Sequence, residues 1–392
     1  MLLNCYDALR MAQALSFPRL PGSEGEERAA SFIEKKLREF GYHPQRERFL
    51  VPLTPWGPMR ISVLLAILVL IGARVLATVT PLASGILMVL AVAFLAFYSS
   101  LWLKLAGSEF LLRLSNHRRK KERSIWSHNL TAKLPAREQP DRSLYLVAHY
   151  DSKSQNLSIL HRAFFLLLAV LSFLWLAICY ARSLGEPLGL TPSWGVELPI
   201  AIGLLALIAI FMIRTANRSP GALDNAAAAG VLLQLADTLR KNPPKRSEVI
   251  FLFTGAEELG AHGAFAYLKR HGNEIQKKNA YFLNLDGVGI KGATRIFSRK
   301  GALPLGDPTF LALCLQDLGQ SFGIKPMGFS LGILMDHHAF LEKGYQAASL
   351  ACVSRKALAI HTPLDTPDLI EQDGLAEVAN FILVWIQKME YK

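Results

Sequence analysis

Five short segments carry side chains able to bind a cation or move a proton. The first is His149-Tyr-Asp151. Residues two apart in an extended chain point to the same side. One of the pair can therefore hold a metal ion while the other accepts a hydrogen bond from the imidazole, fixing its orientation. Gly221-Ala-Leu-Asp224-Asn225 precedes an alanine-rich run, where Asp and Asn serve either as helix caps or as ligands. Thr254-Gly-Ala-Glu257-Glu258-Leu-Gly260 holds two adjacent carboxylates between glycines; neighbouring carboxylates repel unless a cation is present. Asp286-Gly287 and His361-Thr-Pro-Leu-Asp365 complete the set. In chain order, His, Asp, Glu, Asp and His are mixed nitrogen and oxygen donors suited to zinc.

Such donors need a scaffold that brings distant segments together. Residues 24–40 have helical periodicity and stop at Gly41. Arg46–Val51, Ser143–Ala148, Val249–Phe253, Tyr281–Leu285 and Gln346–Val353 read as strands, and Asp224–Lys241, Ala264–Arg270 and Glu377–Lys388 as helices. Strand and helix alternate, which predicts an α/β fold with a mostly parallel sheet flanked by helices. In such sheets functional groups gather beyond the carboxyl ends of strands, and His149, Glu257 and Asp286 follow strands in this way.

The chain has 392 residues, of which 51% are hydrophobic and 19% charged. The apolar excess is concentrated in two blocks. Residues 58–104 predict a transmembrane hairpin, Ile61–Thr80 and Ala83–Leu103, turning near Pro81. Residues 159–213 predict a second, Ala163–Ala181 and Leu198–Ile213, with Trp194 as an interfacial anchor. About four inserted transmembrane helices are therefore expected. The remaining segments, 1–57 with 105–158 and 214–392, form the expected soluble domain.

The formal net charge is +12, with an excess in Arg113, Arg118, Arg119, Lys120, Lys121 and Arg123. That run follows an apolar block, so it is read as facing lipid head groups and not nucleic acid. The basic excess on the domain side predicts an integral, multi-pass membrane protein with that domain in the cytoplasm. The glycosylation-type triplets at Asn129, Asn156 and Asn217 are discounted. Cys5, Cys179, Cys314 and Cys352 have no paired spacing, so no disulfide framework is expected. The first twenty residues do not read as a cleaved signal peptide. His262 and His271 are expected at the surface.

With these motifs in place, the sequence resembles metallopeptidase family twenty-eight, the two-zinc exopeptidases that include Aeromonas-type leucyl aminopeptidases and, more distantly, glutaminyl cyclases. The resemblance covers about 1–57, 125–158 and 214–392. It rests on HYDS (149–152), GALDN (221–225), GAEELGAHGA (255–264), NLDGVG (284–289) and HTPLDT (361–366). It implies a zinc-exopeptidase-type fold and two zinc ions, with Asp224 shared, His149 and Asp286 on one ion, and Glu258 and His361 on the other. Glu257 would be the general base and Asp151 an orienting carboxylate. A weaker match at residues 335–340 implies that Asp336, His337 and Phe340 border a substrate pocket. One departure is the run of four alanines after Asn225, which bears on helix packing more than on chemistry.

The expected function is a membrane-embedded, zinc-dependent aminopeptidase-type metallopeptidase. The second hairpin enters between the His149 and Asp224 loops, so a peptide substrate drawn from the lipid bilayer is expected. A cyclotransferase of the glutaminyl cyclase type is the first alternative. A membrane receptor or transporter with a vestigial peptidase domain is the second.

Overall fold

The computed structural model describes residues 3–52, 58–106, 124–182, 193–298, 308–327 and 334–391. The basic run from Arg113 to Arg123 lies outside them. The chain divides into two compact units. One comprises Met1–Leu53, Leu103–Ser154 and Thr215–Lys392; the other comprises Thr54–Trp102 and Gln155–Arg214.

The first unit is built on an eight-stranded sheet. Its strands are β1 (Gln45–Pro52), β2 (Ser124–Leu134), β3 (Arg142–His149), β4 (Ser247–Thr254), β5 (Ala280–Leu285), β6 (Thr294–Phe297), β7 (Lys325–Pro326) and β8 (Gln346–Cys352). Their order is β1-β2-β4-β3-β5-β8-β6-β7. The central four, β4, β3, β5 and β8, are mutually parallel. Pairings of β1 with β2, β2 with β4, and β6 with β8 are antiparallel. The pairing of β6 with β7 is also parallel, so four of the seven pairings are parallel, as the element pattern suggested, with antiparallel pairings towards the two edges.

Successive residues of β3 face opposite layers, as the period of two requires. Leu144, Leu146 and Ala148 join the larger core cluster, and Tyr145 and Val147 join the other. Both faces are covered, which is why the strand reads as a nearly unbroken apolar run. The larger cluster is closed by α1 (Tyr6–Leu15), α2 (Glu24–Glu39), α7 (Ala227–Lys241), α9 (Phe310–Phe322) and α11 (Gln372–Met389). The opposite face packs against α8 (His262–His271) and α10 (His337–Glu342). Helix α2 begins at a Ser23 cap whose hydroxyl accepts from the Glu26 amide, and it carries acidic residues in its first turn and basic ones in its last. Residues Ala226–Ala229 are buried at the start of α7, so the alanine run serves close packing.

Asn129 is buried and its side chain is occupied, donating to Gly263 O and accepting from the Gly255 amide. Neither His262 nor His271 is a freely exposed side chain: both are half-buried, and His271 Nε2 lies 2.8 Å from Glu47. The four cysteines are free.

The second unit contains α3 (Pro58–Leu76), α4 (Pro81–Ala106), α5 (Ile159–Arg182) and α6 (Ser193–Phe211). They bury a stripe that includes Leu70, Phe173, Leu176 and Leu207. Small residues allow close approach: a Cβ on Gly203 would stand 3.2 Å from Ser172 Cβ. Large apolar side chains point outward, among them Leu68, Val75, Trp175 and Leu205. Arg74 donates twice to Glu197, at 2.9 and 2.8 Å. Two stretches, Met59–Leu76 and Ile159–Arg182, are long and apolar enough to cross a membrane, whereas Pro81–Phe94 and Gly195–Phe211 are shorter. This corrects the expectation of about four such helices: two meet the length and composition requirement among the described residues.

Candidate metal centre

The carboxyl ends of β3, β4 and β5 and two loops converge in the first unit. His149 closes β3 and is fully buried. Its Nδ1 lies 3.2 Å from the main-chain oxygen of Asp151, and its Nε2 lies 3.1 Å from Asp224 Oδ1 and 3.7 Å from Asp286 Oδ1. A proton on Nδ1 donated to that oxygen leaves Nε2 as the donor atom facing the carboxylates.

Asp224 sits in the turn before α7, where it and Asn225 have non-helical backbone angles. The expected helix start at Asp224 is therefore displaced to Ala227. Asp365 holds this turn in place. Its carboxylate accepts from the Leu223 and Asp224 amides at 2.7 and 3.2 Å. Asn225 reaches the next loop, donating to Leu285 O at 2.8 Å and accepting from the Gly287 amide at 3.1 Å. One side chain thus ties the Asp224 turn to the Asp286 turn.

Glu257 and Glu258 leave β4 through a tight bend. No side chain fits at Gly255, where a Cβ would stand 2.4 Å from Ser127 Oγ and 2.5 Å from His128 O. Asp151 fixes the bend: its two carboxylate oxygens accept from the Glu257 and Glu258 amides, each at 3.1 Å. The orienting bond to His149 that the spacing suggested comes mainly from the Asp151 main chain; the nearest carboxylate oxygen is 3.5 Å away. His361 completes the cluster, with Nε2 3.1 Å from Asp224 Oδ2 and 3.0 Å from Glu258 Oε2.

Replacing Asp151 by Asn would leave one oxygen and turn an NH2 group towards a backbone N–H. Asp151→Asn is expected to weaken zinc binding about 10–100-fold, the usual range for groups that orient ligands. Competition with a chelating dye measures it, and an unchanged affinity would show that the bend holds without this carboxylate.

Charge crowding shapes the site. Burial disfavours the charged imidazolium of His149, but Asp151, Asp224, Asp286 and Glu257 outweigh it and raise its proton affinity well above the usual value. Burial likewise opposes ionisation of Asp224 and Glu258. The neighbouring imidazoles overcome this at Asp224, and His361 with Lys153 overcomes it at Glu258, so both are held below the ordinary carboxylate range. At Glu257 burial prevails, reinforced by Asp286, Asp336 and Glu258, and the carboxyl is pushed well upward. A cluster with this much negative potential calls for positive charge, supplied by protons or by metal ions.

The residues present fit a metal. His149, Asp224 and Asp286 offer one set of donor atoms, and Asp224, Glu258 and His361 another, each set within 4.8 Å of one another. His149 Nε2 and Asp224 Oδ1 are buried and face each other at 3.1 Å without a well-aligned hydrogen bond. The donors are imidazole nitrogens and carboxylate oxygens, the types zinc takes.

The residues expected to border a substrate pocket lie inside the first unit. Asp336, His337 and Phe340 are fully buried. Phe340 stacks on Phe282 with ring centroids 4.1 Å apart, and His337 Nδ1 lies 2.6 Å from Ser349 Oγ. Asp336 accepts from Thr254 Oγ1 at 2.5 Å. His337 and Phe340 lie on the short helix α10, which packs against β5 and β8, and Asp336 immediately precedes it. Conversely, Lys153, two residues beyond Asp151, belongs to none of the five sequence segments and yet lies at the centre. Its Nζ lies 2.9 Å from Glu258 Oε2 and donates to Glu258 O at 2.9 Å.

The family model described as Peptidase family M28 matches residues 195–386. Aminopeptidase YwaD of Bacillus subtilis is 26% identical over 168 residues, covering 42% of this chain and 36% of that protein. Endoplasmic reticulum metallopeptidase 1 of Mus musculus is 26% identical over 187 residues, covering 44% of this chain and 19% of that protein. The chain thus spans about a third and a fifth of those two relatives. Among solved structures, BSAP, a zinc aminopeptidase from Bacillus subtilis, aligns at a TM-score of 0.55 with 15% identity, covering 98% of this chain and 95% of that one. An Acidobacteriales bacterium glutaminyl cyclase aligns at 0.58 with 13% identity, covering 100% and 96%. At such identities the structural likeness shows the fold. The sequence resembles peptidase family M28.

Proposed function

We propose that the chain is a zinc-dependent metallopeptidase that removes residues from the free amino end of peptides. The observation that carries this reading is the placement of Asp224, whose two carboxylate oxygens each lie 3.1 Å from a different imidazole, His149 and His361. In this reading Asp224 serves two zinc ions, His149 and Asp286 complete one donor set, and Glu258 and His361 complete the other. Bound there, zinc would supply a Lewis acid that acidifies water and polarises the scissile carbonyl.

The remaining work falls to the protein. Glu257, with Oε2 4.0 Å from His149 Nε2, accepts a proton from the attacking water and returns it to the leaving amine. Its backbone N–H is fixed by Asp151, so the carboxylate is aimed without a bond of its own to the donor atoms. Burial of the cluster excludes bulk water from these proton transfers. The carboxylate-rich surroundings also suit a protonated substrate amine.

The proposal includes membrane association through α3 and α5, which among the described residues are long and apolar enough to cross a membrane, and, from the basic run at 113–123, a catalytic unit on the cytoplasmic side. The chain leaves the first unit at Ser154 and re-enters at Thr215, close in sequence to Asp151 and Asp224. That threading supports substrates drawn from the bilayer, namely apolar peptides with a free amino end.

Full-length protein in detergent micelles, given matched peptides with free, acetylated and glutaminyl amino ends, tests the reaction. Release of the first amino acid from the free-ended peptide, with the acetylated one untouched, is expected. The fold likeness to glutaminyl cyclases supports one second reading. Ring closure of the glutaminyl peptide with loss of ammonia, and no hydrolysis of any peptide, would establish that reading and end the first.

A further inference from the structure

Arg19 lies on the segment between α1 and α2 and is fully buried. Its guanidinium makes bonds to main-chain oxygens only. Nε donates to Tyr150 O at 2.7 Å, Nη1 to Phe17 O at 2.7 Å and Pro220 O at 2.6 Å, and Nη2 to Gly221 O at 3.0 Å. Nη1 also contacts Leu15 O. Among the described residues no carboxylate stands within ion-pair distance of it. Asp151, Asp365, Asp224 and Glu258 act on it through space, opposing the burial that lowers its proton affinity to about 10.

The acceptors explain the expense of burying a cation. Tyr150 stands between His149 and Asp151, and Gly221 stands three residues before Asp224. One planar fork therefore grips both loops that deliver donors to the centre. The main chain repeats the connection. The Arg19 amide donates to Ser152 Oγ at 3.0 Å, the Ser152 amide donates to Arg19 O at 3.1 Å, and Ser152 Oγ donates to Ser219 O at 3.2 Å. The loops are pressed together at this point. Gly221 has φ +59°, and a Cβ there would stand 2.5 Å from Ser152 Cβ and 3.0 Å from Arg19 Nη2.

We propose that Arg19 is a positioning residue that sets the separation of the His149 and Asp224 loops and thereby the affinity of the centre for zinc. It touches no donor atom; it acts through the carbonyl groups of the loops. The inference rests on the metal-centre reading above. The geometry needs the fork and not merely the charge: guanidinium offers five N–H donors in a plane, whereas an ammonium offers three from one atom and cannot span acceptors on three chain segments.

The test is zinc affinity, measured on metal-stripped full-length protein in micelles by competition with a chelating dye. Arg19→Lys keeps the charge and is expected to lose at least about 10-fold in affinity. Phe381→Leu, a core change on α11 away from the loops, serves as a control for general destabilisation, with thermal unfolding of the stripped proteins placing the two on one scale. It is expected to keep wild-type affinity. Wild-type affinity in folded Arg19→Lys, or an equal loss in Phe381→Leu, would overturn the assignment. If Arg19→Lys does not fold, Ser152→Ala removes the hydroxyl that joins the same loops. It is expected to lose severalfold, and an unchanged affinity overturns the assignment as well. Failure of the wild-type protein to bind zinc removes the metal centre itself, which distinguishes that outcome from failure of the Arg19 inference alone.

Discussion

Glu257→Gln is expected to lower the turnover number by about 10²–10⁴-fold, the usual worth of a positioned proton acceptor, while zinc content stays at the wild-type level. Glutamine preserves the shape of the side chain but cannot take a proton. The backbone contacts at this position come from Asp151 to the Glu257 and Glu258 amides, and they do not involve the substituted group. Glu257 belongs to neither set of donor atoms, so metal binding should survive. Turnover on the free-ended peptide and zinc per chain, measured on one preparation, check both halves. Loss of zinc in parallel with activity would make Glu257 a ligand and leave the base unassigned. If hydrolysis is absent from the wild-type protein while a binding or transport phenotype survives Glu257→Gln, the vestigial-domain reading takes over.

Asp224→Asn is expected to cost more. Asp224 is the residue common to both donor sets, so its loss weakens both at once. The amide keeps one oxygen but turns an NH2 group, which cannot ligate, towards one of the two imidazoles. In the proposed two-zinc reading it also removes the charge that would let two cations lie side by side. Zinc affinity is expected to fall by more than the roughly 100-fold upper range seen for groups that only orient ligands, with hydrolysis below detection. His361→Ala is the informative contrast, because it belongs to one set only. One tightly held zinc should remain in His361→Ala and none in Asp224→Asn. Equal zinc content in the two variants would mean that Asp224 is not shared. Chelation of the wild-type protein should likewise abolish hydrolysis, and added zinc should restore it.

The two variants probe parts of the centre that were unequally visible in the amino-acid order. His149, Glu257 and Asp286 stand where apolar strands end, and strand ends are legible because the side-chain period and apolar content change there. That Asp224, Glu258 and His361 converge follows from a parallel centre that brings several carboxyl ends to one edge. Strand β2 was harder to see. Ser124–Leu134 mixes polar and apolar residues because the strand lies near the sheet edge, paired antiparallel on both sides, where alternation is not protected by two covering layers. Helix α10 shows what spacing does not carry: the Phe340 ring is stacked on Phe282, and burial is a property of what packs against a residue.

The membrane-like helices divide in the same way. Apolar composition marked all four segments of the second unit, and among the described residues two stretches are both long and apolar enough to cross a membrane.

By itself, then, the sequence determined which chemical groups are present, that they follow strands of an α/β scaffold, and that apolar helices interrupt it between donor-bearing loops. These properties are local: residue type, period and spacing are enough to express them. Only the tertiary structure decided how the donors are held. Asp151 grips two backbone amides, Asp365 grips two more, Asn225 ties the Asp224 turn to the Asp286 turn, and Arg19 binds five main-chain oxygens. Every residue carries both an N–H and a C=O, apart from the missing N–H of proline, so no motif announces which of them a distant side chain will find. That choice is made when the chain packs and each buried polar group must be satisfied by whatever lies within reach.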